Sequence, residues 1–374
     1  MKKMLIFIFL LIGTFFSLNV EVKADNLIKD AKSGFLIEAN TGAILYNYNE
    51  KKRLPMASMT KIMSLYLIFE AMGKGLFSLN DTHQASSTAA TKTGSHIYLA
   101  VGEVMKVEDY IKSICIVSAN DATVALAEKV AGTEEAFVKM MNNKAKEFGL
   151  TDTKFSDSTG LASTDHYSTA YDMAIMAMHL VNDYPLVLNY SKRYEDYIRT
   201  ETTNPFWLVN TNKLVRFYEG VDGLKTGWTD EAGYCLTATI KVDNLRLIGV
   251  LMGGSTADER NAEMRKLLNY GINTYKNETI IKKDDFVTHI YDLKTYPNEY
   301  DLRSSKDVYI TKKRNETLKE IKKDIVKKED GFYLKITYDN NEYELIYLKP
   351  GSDVKNANIK DVLLSLIKLF FKTK

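Results

Sequence analysis

Residues 55–64 read PMASMTKIMS and place Ser58 and Lys61 three positions apart, at the start of a run whose apolar residues recur at helical spacing to Met72. On a helix, residues i and i+3 share a face with Cβ atoms roughly 5–6 Å apart, which is within reach of a proton transfer. A serine hydroxyl is a poor nucleophile until a neighbour removes its proton, and lysine can remove it only when uncharged. Burial and nearby cations lower a lysine pKa from about 10.4 toward the working range. A serine at a helix start also has backbone N–H groups and the positive end of the helix dipole beside it, which suit an oxyanion.

The spacing alone is weak, because Ser365 and Lys368 repeat it in the C-terminal tail with no other reactive residue nearby in the sequence. Ser118-Ala119-Asn120 supplies a hydroxyl and an amide that can pass a proton and hold a substrate carbonyl, although 17–19 and 78–80 have the same S-x-N pattern. Lys225-Thr226-Gly227 opens a β-rich run. There the lysine and threonine can meet a carboxylate, and the glycine can let a substrate backbone lie against the strand. Lys92-Thr93-Gly94 copies the letters but precedes Ser118 and opens no strong strand. One selection alone puts S-x-x-K on a helix, S-x-N in a helical region and K-T-G on a strand that can border a cleft.

The elements that must position these groups follow from periodicity. Residues 34–48, GFLIEANTGAILYNY, alternate around Asn40-Thr41-Gly42 and read as two strands and a turn. Helical patterns cover about 58–72, 107–130, 134–148, 169–181 and 257–275. LKTGW, GYCLTATIKV and LRLIGVLMG are strands, the last two joined by a turn at 242–244. This order implies an α+β domain: one sheet assembled from both ends, a helical lobe inserted between, and a site in the cleft between them. From 277 to about 352, short β runs such as FVTHIYDL and GFYLKITYDNNEYELIYLK alternate with lysine-rich segments and imply a second, all-β domain. In the tail, Asp361, Ser365, Lys368 and Lys372 mark one side of an otherwise apolar helix, which suits a membrane interface.

Lys2 and Lys3 precede an apolar run from Met4 to Leu18, and Val22-Lys23-Ala24 resembles a signal-peptidase site, so residues 1–24 read as an export signal. The division expected is 1–24, 25–276, 277–352 and an amphipathic helix within 353–374. A net charge of +2 on 374 residues gives no field for nucleic acid. Cys115 and Cys235 read as buried free thiols on a helix and a strand, so no disulfide framework supports the fold. Five histidines without H-x-x-x-H or C-x-x-C spacing argue against a zinc site, and no cofactor is expected.

The ordered trio SMTK, SAN and KTG resembles that of class A β-lactamases and penicillin-binding proteins. SANDA, KTGWTDEAGY and HYSTAYDMA at 166–174 favour the low-molecular-weight penicillin-binding proteins, specifically serine-type D-alanyl-D-alanine carboxypeptidases. The resemblance extends over nearly the whole chain. It implies a β-lactamase/transpeptidase-like catalytic domain acting outside the cytoplasmic membrane on peptidoglycan stem peptides, acylated by β-lactams and held at the membrane by the C-terminal helix.

Carried over by position, Ser58 is the nucleophile, Lys61 its base and Ser118 the proton relay to the leaving amine. Asn120 holds the substrate amide, Lys225 keeps the site electropositive and Thr226 bonds the terminal carboxylate. Gly227 belongs to the same strand, Arg260 matches the carboxylate-binding arginine after it, and the N–H groups of Ser58 and Trp228 form the oxyanion hole. Trp228 departs from members that carry histidine there, and its ring reads as a packing aromatic. His166 reads as a loop residue before a helix capped by Ser168 or Thr169, since 253–257, GGSTA, fails the G-x-S-x-G pattern. The lysine-rich stretch 312–328 reads as a solvated face. A β-lactamase and a catalytically silent wall-binding protein are the rival readings; the first lacks a G-x-E-x-x-L-N segment and the second would show a missing motif member.

Overall fold

The computed structural model describes residues 27–161 and 164–372; the expected export signal lies outside the described residues. Five antiparallel strands form the first sheet: β1 (Ser33–Glu38), β2 (Ile44–Tyr48), β3 (Val221–Thr229), β4 (Gly233–Val242) and β5 (Leu245–Gly254). Their order is β2-β1-β5-β4-β3, so the two N-terminal strands join a sheet otherwise made of residues 221–254. Period-2 alternation sends Phe35, Ile37, Ile248, Val250 and Met252 to one face and Leu36, Leu247 and Leu251 to the other. Both faces are therefore covered.

The helical lobe covers the first face. It comprises α1 (Lys61–Gly73), α2 (Val107–Ile116), α3 (Asn120–Ala131), α4 (Glu134–Glu147) and α5 (Ala170–Asp183). Helix α1 is buried almost all round, with every residue from Lys61 to Phe69 inside, as expected for a helix at the centre of a domain. Helix α6 (Ala257–Thr274) packs Met264, Leu267 and Leu268 on the opposite face. The fold is the α+β arrangement that the strand and helix order implies. One correction concerns the continuous helical pattern at 107–130: the helix stops at Ile116 and restarts at Asn120. Ser118 has φ +64°, and an L residue in that region cannot continue a right-handed helix.

Beyond α6 the chain is β-rich. Strands β6 (Tyr275–Ile281), β7 (Phe286–Tyr291), β8 (Glu299–Ser304), β9 (Val308–Lys313), β10 (Ile321–Lys328), β11 (Gly331–Tyr338) and β12 (Asn341–Pro350) form a sheet ordered β7-β8-β12-β11-β10 and a β6–β9 pair. Tyr300, Leu302, Leu334, Ile336, Ile346 and Leu348 make their separate core. The tail forms α7 (Ile359–Lys372), which rests on this region through buried Ser365. Its apolar side chains face outward, with Ile359 90%, Phe370 68% and Phe371 71% exposed. Among the described residues, no helix is long and apolar enough to cross a membrane.

Candidate active site

Ser58 sits in a 3₁₀ turn, Ala57–Thr60, that leads directly into α1. Ala57 has φ +47°, a conformation that costs a non-glycine residue roughly 1–2 kcal/mol and is retained where the surroundings hold it. Three contacts hold it. Thr60 Oγ1 donates to the Ala57 carbonyl at 2.7 Å and is itself 2.7 Å from His166 Nε2. Ser156 N–H donates to His166 Nδ1 at 3.0 Å, so Nδ1 accepts and Nε2 carries the proton given to Thr60. Burial lowers the imidazole pKa, which favours this neutral form. His166 is thus a buried strut under the turn that carries Ser58, whereas its sequence position reads only as a loop residue. Thr169 is the N-cap of α5, accepting from Asp172 N–H at 3.0 Å.

The third contact is steric. Gly160, at φ +90°, presses so closely on the turn that a Cβ there would fall 1.9 Å from the Ala57 carbonyl oxygen. On the other side, a Cβ on Gly227 would lie 2.7 Å from the Met56 carbonyl oxygen and 3.2 Å from Met59 N. The glycine of K-T-G therefore admits the Ala57–Thr60 turn against β3; the substrate backbone, expected there from sequence, is not what its missing side chain accommodates.

Lys61 opens α1 with its side chain fully buried, Nζ 3.0 Å from Ser58 Oγ and donating to the Thr159 carbonyl at 2.8 Å. Burial drives its pKa well below the ordinary lysine value, and the nearby Lys225 charge adds to the fall, against partial opposition from Asp157 and Asp121. An uncharged amine next to a serine hydroxyl is the pair that nucleophile activation requires.

The break between α2 and α3 carries Ser118 and Asn120. Asn120 Nδ2 donates to the Thr93 carbonyl at 2.7 Å and its N–H to the Ser95 carbonyl at 2.7 Å. The Lys92-Thr93-Gly94 copy of the third motif thus forms the loop that orients the second. Asp121, also buried, accepts from the N–H groups of Ile97 and Leu99 and holds that loop to α3. Ser118 Oγ and Asn120 Oδ1 are buried with no hydrogen-bond partner among the described residues. Such atoms are costly unless something pairs with them, and both can serve a bound substrate.

Strand β3 brings the third motif. Lys225 is buried, donates to the Thr226 carbonyl at 3.1 Å, and is lowered to about 7 by burial. Thr226 Oγ1 is 2.7 Å from Thr211 Oγ1, a neighbour that no sequence motif marks. Trp228 is 53% exposed at the strand's end and inclined against Tyr234, so its ring packs only in part. Arg260, on the first turn of α6, is buried and donates to the Cys235 carbonyl at 3.4 Å and to Asn261 Oδ1 at 3.0 Å. Its charge reaches Lys225 and lowers that lysine's pKa. Cys115 and Cys235 are free and buried, with thiols pushed up to about 12 and about 11, so both stay protonated.

Sequence motifs did not point to the loop Asp157-Ser158-Thr159-Gly160. Asp157 Oδ1 accepts from the N–H groups of Thr159 at 2.8 Å and Gly160 at 2.5 Å, an Asx-type turn that aims the Thr159 carbonyl at Lys61. The D-S-T-G letters were the available signal.

Residues 20–256 match the peptidase S11 family, D-alanyl-D-alanine carboxypeptidase. D-alanyl-D-alanine carboxypeptidase DacF of Bacillus subtilis is 46% identical over 308 residues, 82% of this chain and 79% of that protein. Among solved structures, penicillin binding protein 5 from Haemophilus influenzae aligns with TM-score 0.72 and 28% identity over 88% of this chain and 99% of that one. Penicillin-binding protein D2 from Listeria monocytogenes, solved in an ampicillin-bound form, aligns with TM-score 0.60 and 29% identity over 66% and 99%. With family match, relatives and fold in agreement, the chain belongs to the D-alanyl-D-alanine carboxypeptidase family of serine peptidases.

Proposed function

We propose that this serine D-Ala-D-Ala carboxypeptidase removes the terminal D-alanine of peptidoglycan stem peptides through an acyl-enzyme on Ser58. The observation that carries the assignment is the contact of Ser58 Oγ with the Nζ of Lys61, an amine whose pKa burial lowers. Lys61 takes the hydroxyl proton as Oγ attacks the carbonyl of the penultimate D-alanine. The N–H groups of Ser58 and Trp228 receive the oxyanion, which is the charge the transition state develops. As the tetrahedral intermediate collapses, the C–N bond breaks and Ser118 passes a proton to the leaving amine. Water then attacks the ester and frees Ser58. Asn120 Oδ1 accepts an N–H of the bound peptide, while Lys225, Thr226 and Arg260 attract the terminal carboxylate. β-Lactams acylate the same serine.

The catalytic unit in this reading is 25–276, followed by a β-domain to 352 and the anchor in 353–374. Export through the leader places it outside the cytoplasmic membrane, with α7 lying in the lipid interface. The support for the anchor is orientation: Ser365 faces the protein while Phe370 and Phe371 face outward. Purified protein incubated with a fluorescent penicillin and with diacetyl-Lys-D-Ala-D-Ala tests the chemistry. The parent is expected to become labelled and to release D-alanine, and Ser58→Ala to do neither; label on the variant would refute the nucleophile assignment. Flotation with anionic vesicles tests the anchor: the parent should float, and Phe370→Glu/Phe371→Glu should remain in solution.

A further inference from the structure

The K-T-G copy at Lys92-Thr93-Gly94 has no part in the reaction proposed above, yet its Thr93 carbonyl holds Asn120 Nδ2 at 2.7 Å. Lys92 forms an ion pair with one carboxylate oxygen of Glu134, the first residue of α4. The other oxygen of that carboxylate accepts from Ser158 Oγ at 2.7 Å and from Ser158 N–H at 3.2 Å. We propose that Glu134 is a positioning residue: its carboxylate joins the 92–94 loop, which aims Asn120, to the 157–160 loop, which aims Lys61, so that one side chain sets both ends of the site. The proposal rests on the reaction assigned above and adds to it a residue that touches no substrate.

The Glu134 side chain is 11% exposed, so its charge has lost most of its water, and Lys92 and Ser158 supply the compensating contacts. Ser158 is fully buried, and its carbonyl accepts from Ser64 Oγ at 2.6 Å. Ser64 lies on α1 one turn beyond Lys61. The residue before Thr159 is thus fastened to α1 through its carbonyl and to α4 through its N–H and hydroxyl. The Thr159 carbonyl, which receives the Lys61 hydrogen, is fixed as a consequence.

On the other loop, Asn120 Oδ1 is left for a substrate N–H only while Nδ2 is engaged by Thr93; a turned amide would offer a donor instead. Gly94 packs against the same amide, since a Cβ there would fall 2.7 Å from Nδ2. A shift of the 92–94 loop therefore moves the Asn120 side chain directly. Glu135, the next residue of α4, also feels the Lys92 charge, but its carboxylate hydrogen-bonds to Thr133 and to its own backbone. It provides a control that alters the local charge and leaves the tie between the loops in place.

The test compares kcat/KM for D-alanine release from diacetyl-Lys-D-Ala-D-Ala and from an analogue in which an ester oxygen replaces the N–H of the penultimate residue. The parent should favour the amide, because only the amide offers Asn120 Oδ1 a hydrogen. Glu134→Gln keeps an acceptor for Ser158 and removes the charge that holds Lys92; Lys92→Met cuts the same tie from the other side. Each should reduce the amide-to-ester preference about 3- to 10-fold, and the double variant should lose no more than either single one. Lys92→Arg and Glu135→Gln should keep the parental preference, while Glu134→Ala, which also frees Ser158, should in addition lower kcat for both peptides. The fraction of protein labelled by fluorescent penicillin at completion shows that each variant is folded; a variant in which only that fraction falls has a structural role alone and overturns the proposal. An unchanged preference in Glu134→Gln, additive losses in the double variant, the same loss in Glu135→Gln, or equal use of the two peptides by the parent also overturns it. Any of these in a parent that releases D-alanine sinks this proposal alone, whereas a labelled parent that releases D-alanine from neither peptide sinks the proposed reaction and this proposal with it.

Discussion

Lys61 Nζ donates to the backbone carbonyl of Thr159 at 2.8 Å. An uncharged amine has two N–H bonds and one lone pair, so giving one hydrogen to Thr159 leaves the lone pair free to turn to the Ser58 hydroxyl, 3.0 Å away. The Lys61 amine is therefore aimed by a loop 98 residues further along the chain.

That loop gives the first prediction. Asp157 opposes the fall in the Lys61 pKa, and its Oδ1 holds the Thr159–Gly160 turn. Asp157→Asn keeps an acceptor and removes the charge, so the Lys61 pKa drops further. Acylation requires neutral Lys61, and its acid limb should move to lower pH. The rate of penicillin labelling across pH measures this; an upward move would contradict the assignment.

Lys225 acts in the opposite sense on the same amine. Its charge lowers the Lys61 pKa, so Lys225→Gln should shift the acid limb upward. In the parent, capture of the peptide carboxylate should weaken as pH rises through about 7, where Lys225 loses its proton, and this alkaline fall should vanish in the variant. Because the two lysines are coupled, the limbs report apparent values of the pair. Steady-state KM against pH is the measurement.

Thr60 lies between His166 and the Ala57 carbonyl. Thr60→Val keeps the shape but leaves that carbonyl without its partner, a loss on the order of 1 kcal/mol in the turn that aims Ser58. The acylation rate constant should fall about 5- to 10-fold while the fraction of protein labelled at completion stays constant, and Thr60→Ser should recover most of the rate. A merely destabilised fold would reduce the labelled fraction instead.

Gly160→Ala should be severe. The new Cβ would meet the Ala57 carbonyl oxygen at 1.9 Å, and φ +90° is strained for any L side chain. Loss of roughly 2–4 kcal/mol of stability is expected, with labelling reduced at least tenfold. Thermal unfolding and labelling yield report both. A neutral result would mean that the loop and the nucleophile turn are not in contact.

Much of the chemistry was readable from residue types and short spacings. The offset of S-x-x-K brings a serine and a lysine within reach because local helical geometry fixes it, whereas the roles expected of S-x-N and K-T-G came from the order of the three motifs and the family they resemble. Period-2 and helical patterns likewise placed strands within 34–48 and 224–253, where the fold has them at 33–48 and 221–254, and the long helices around them. The pattern across 107–130 misled, because α2 and α3 keep their apolar faces on either side of the break at Ser118.

Other features had to await the tertiary fold. That the Lys61 pKa falls depends on complete burial and on Lys225, which lies 164 positions later in the chain. That Asn120 points correctly depends on the Thr93 carbonyl, that Ala57 keeps its strained turn on His166, and that β3 reaches Ser58 on the bare face of Gly227. The sequence by itself determined which groups the protein owns and in what order they occur. Folding decided their protonation, aim and mutual distance, because desolvation and close contact arise between segments that only the packed core brings together.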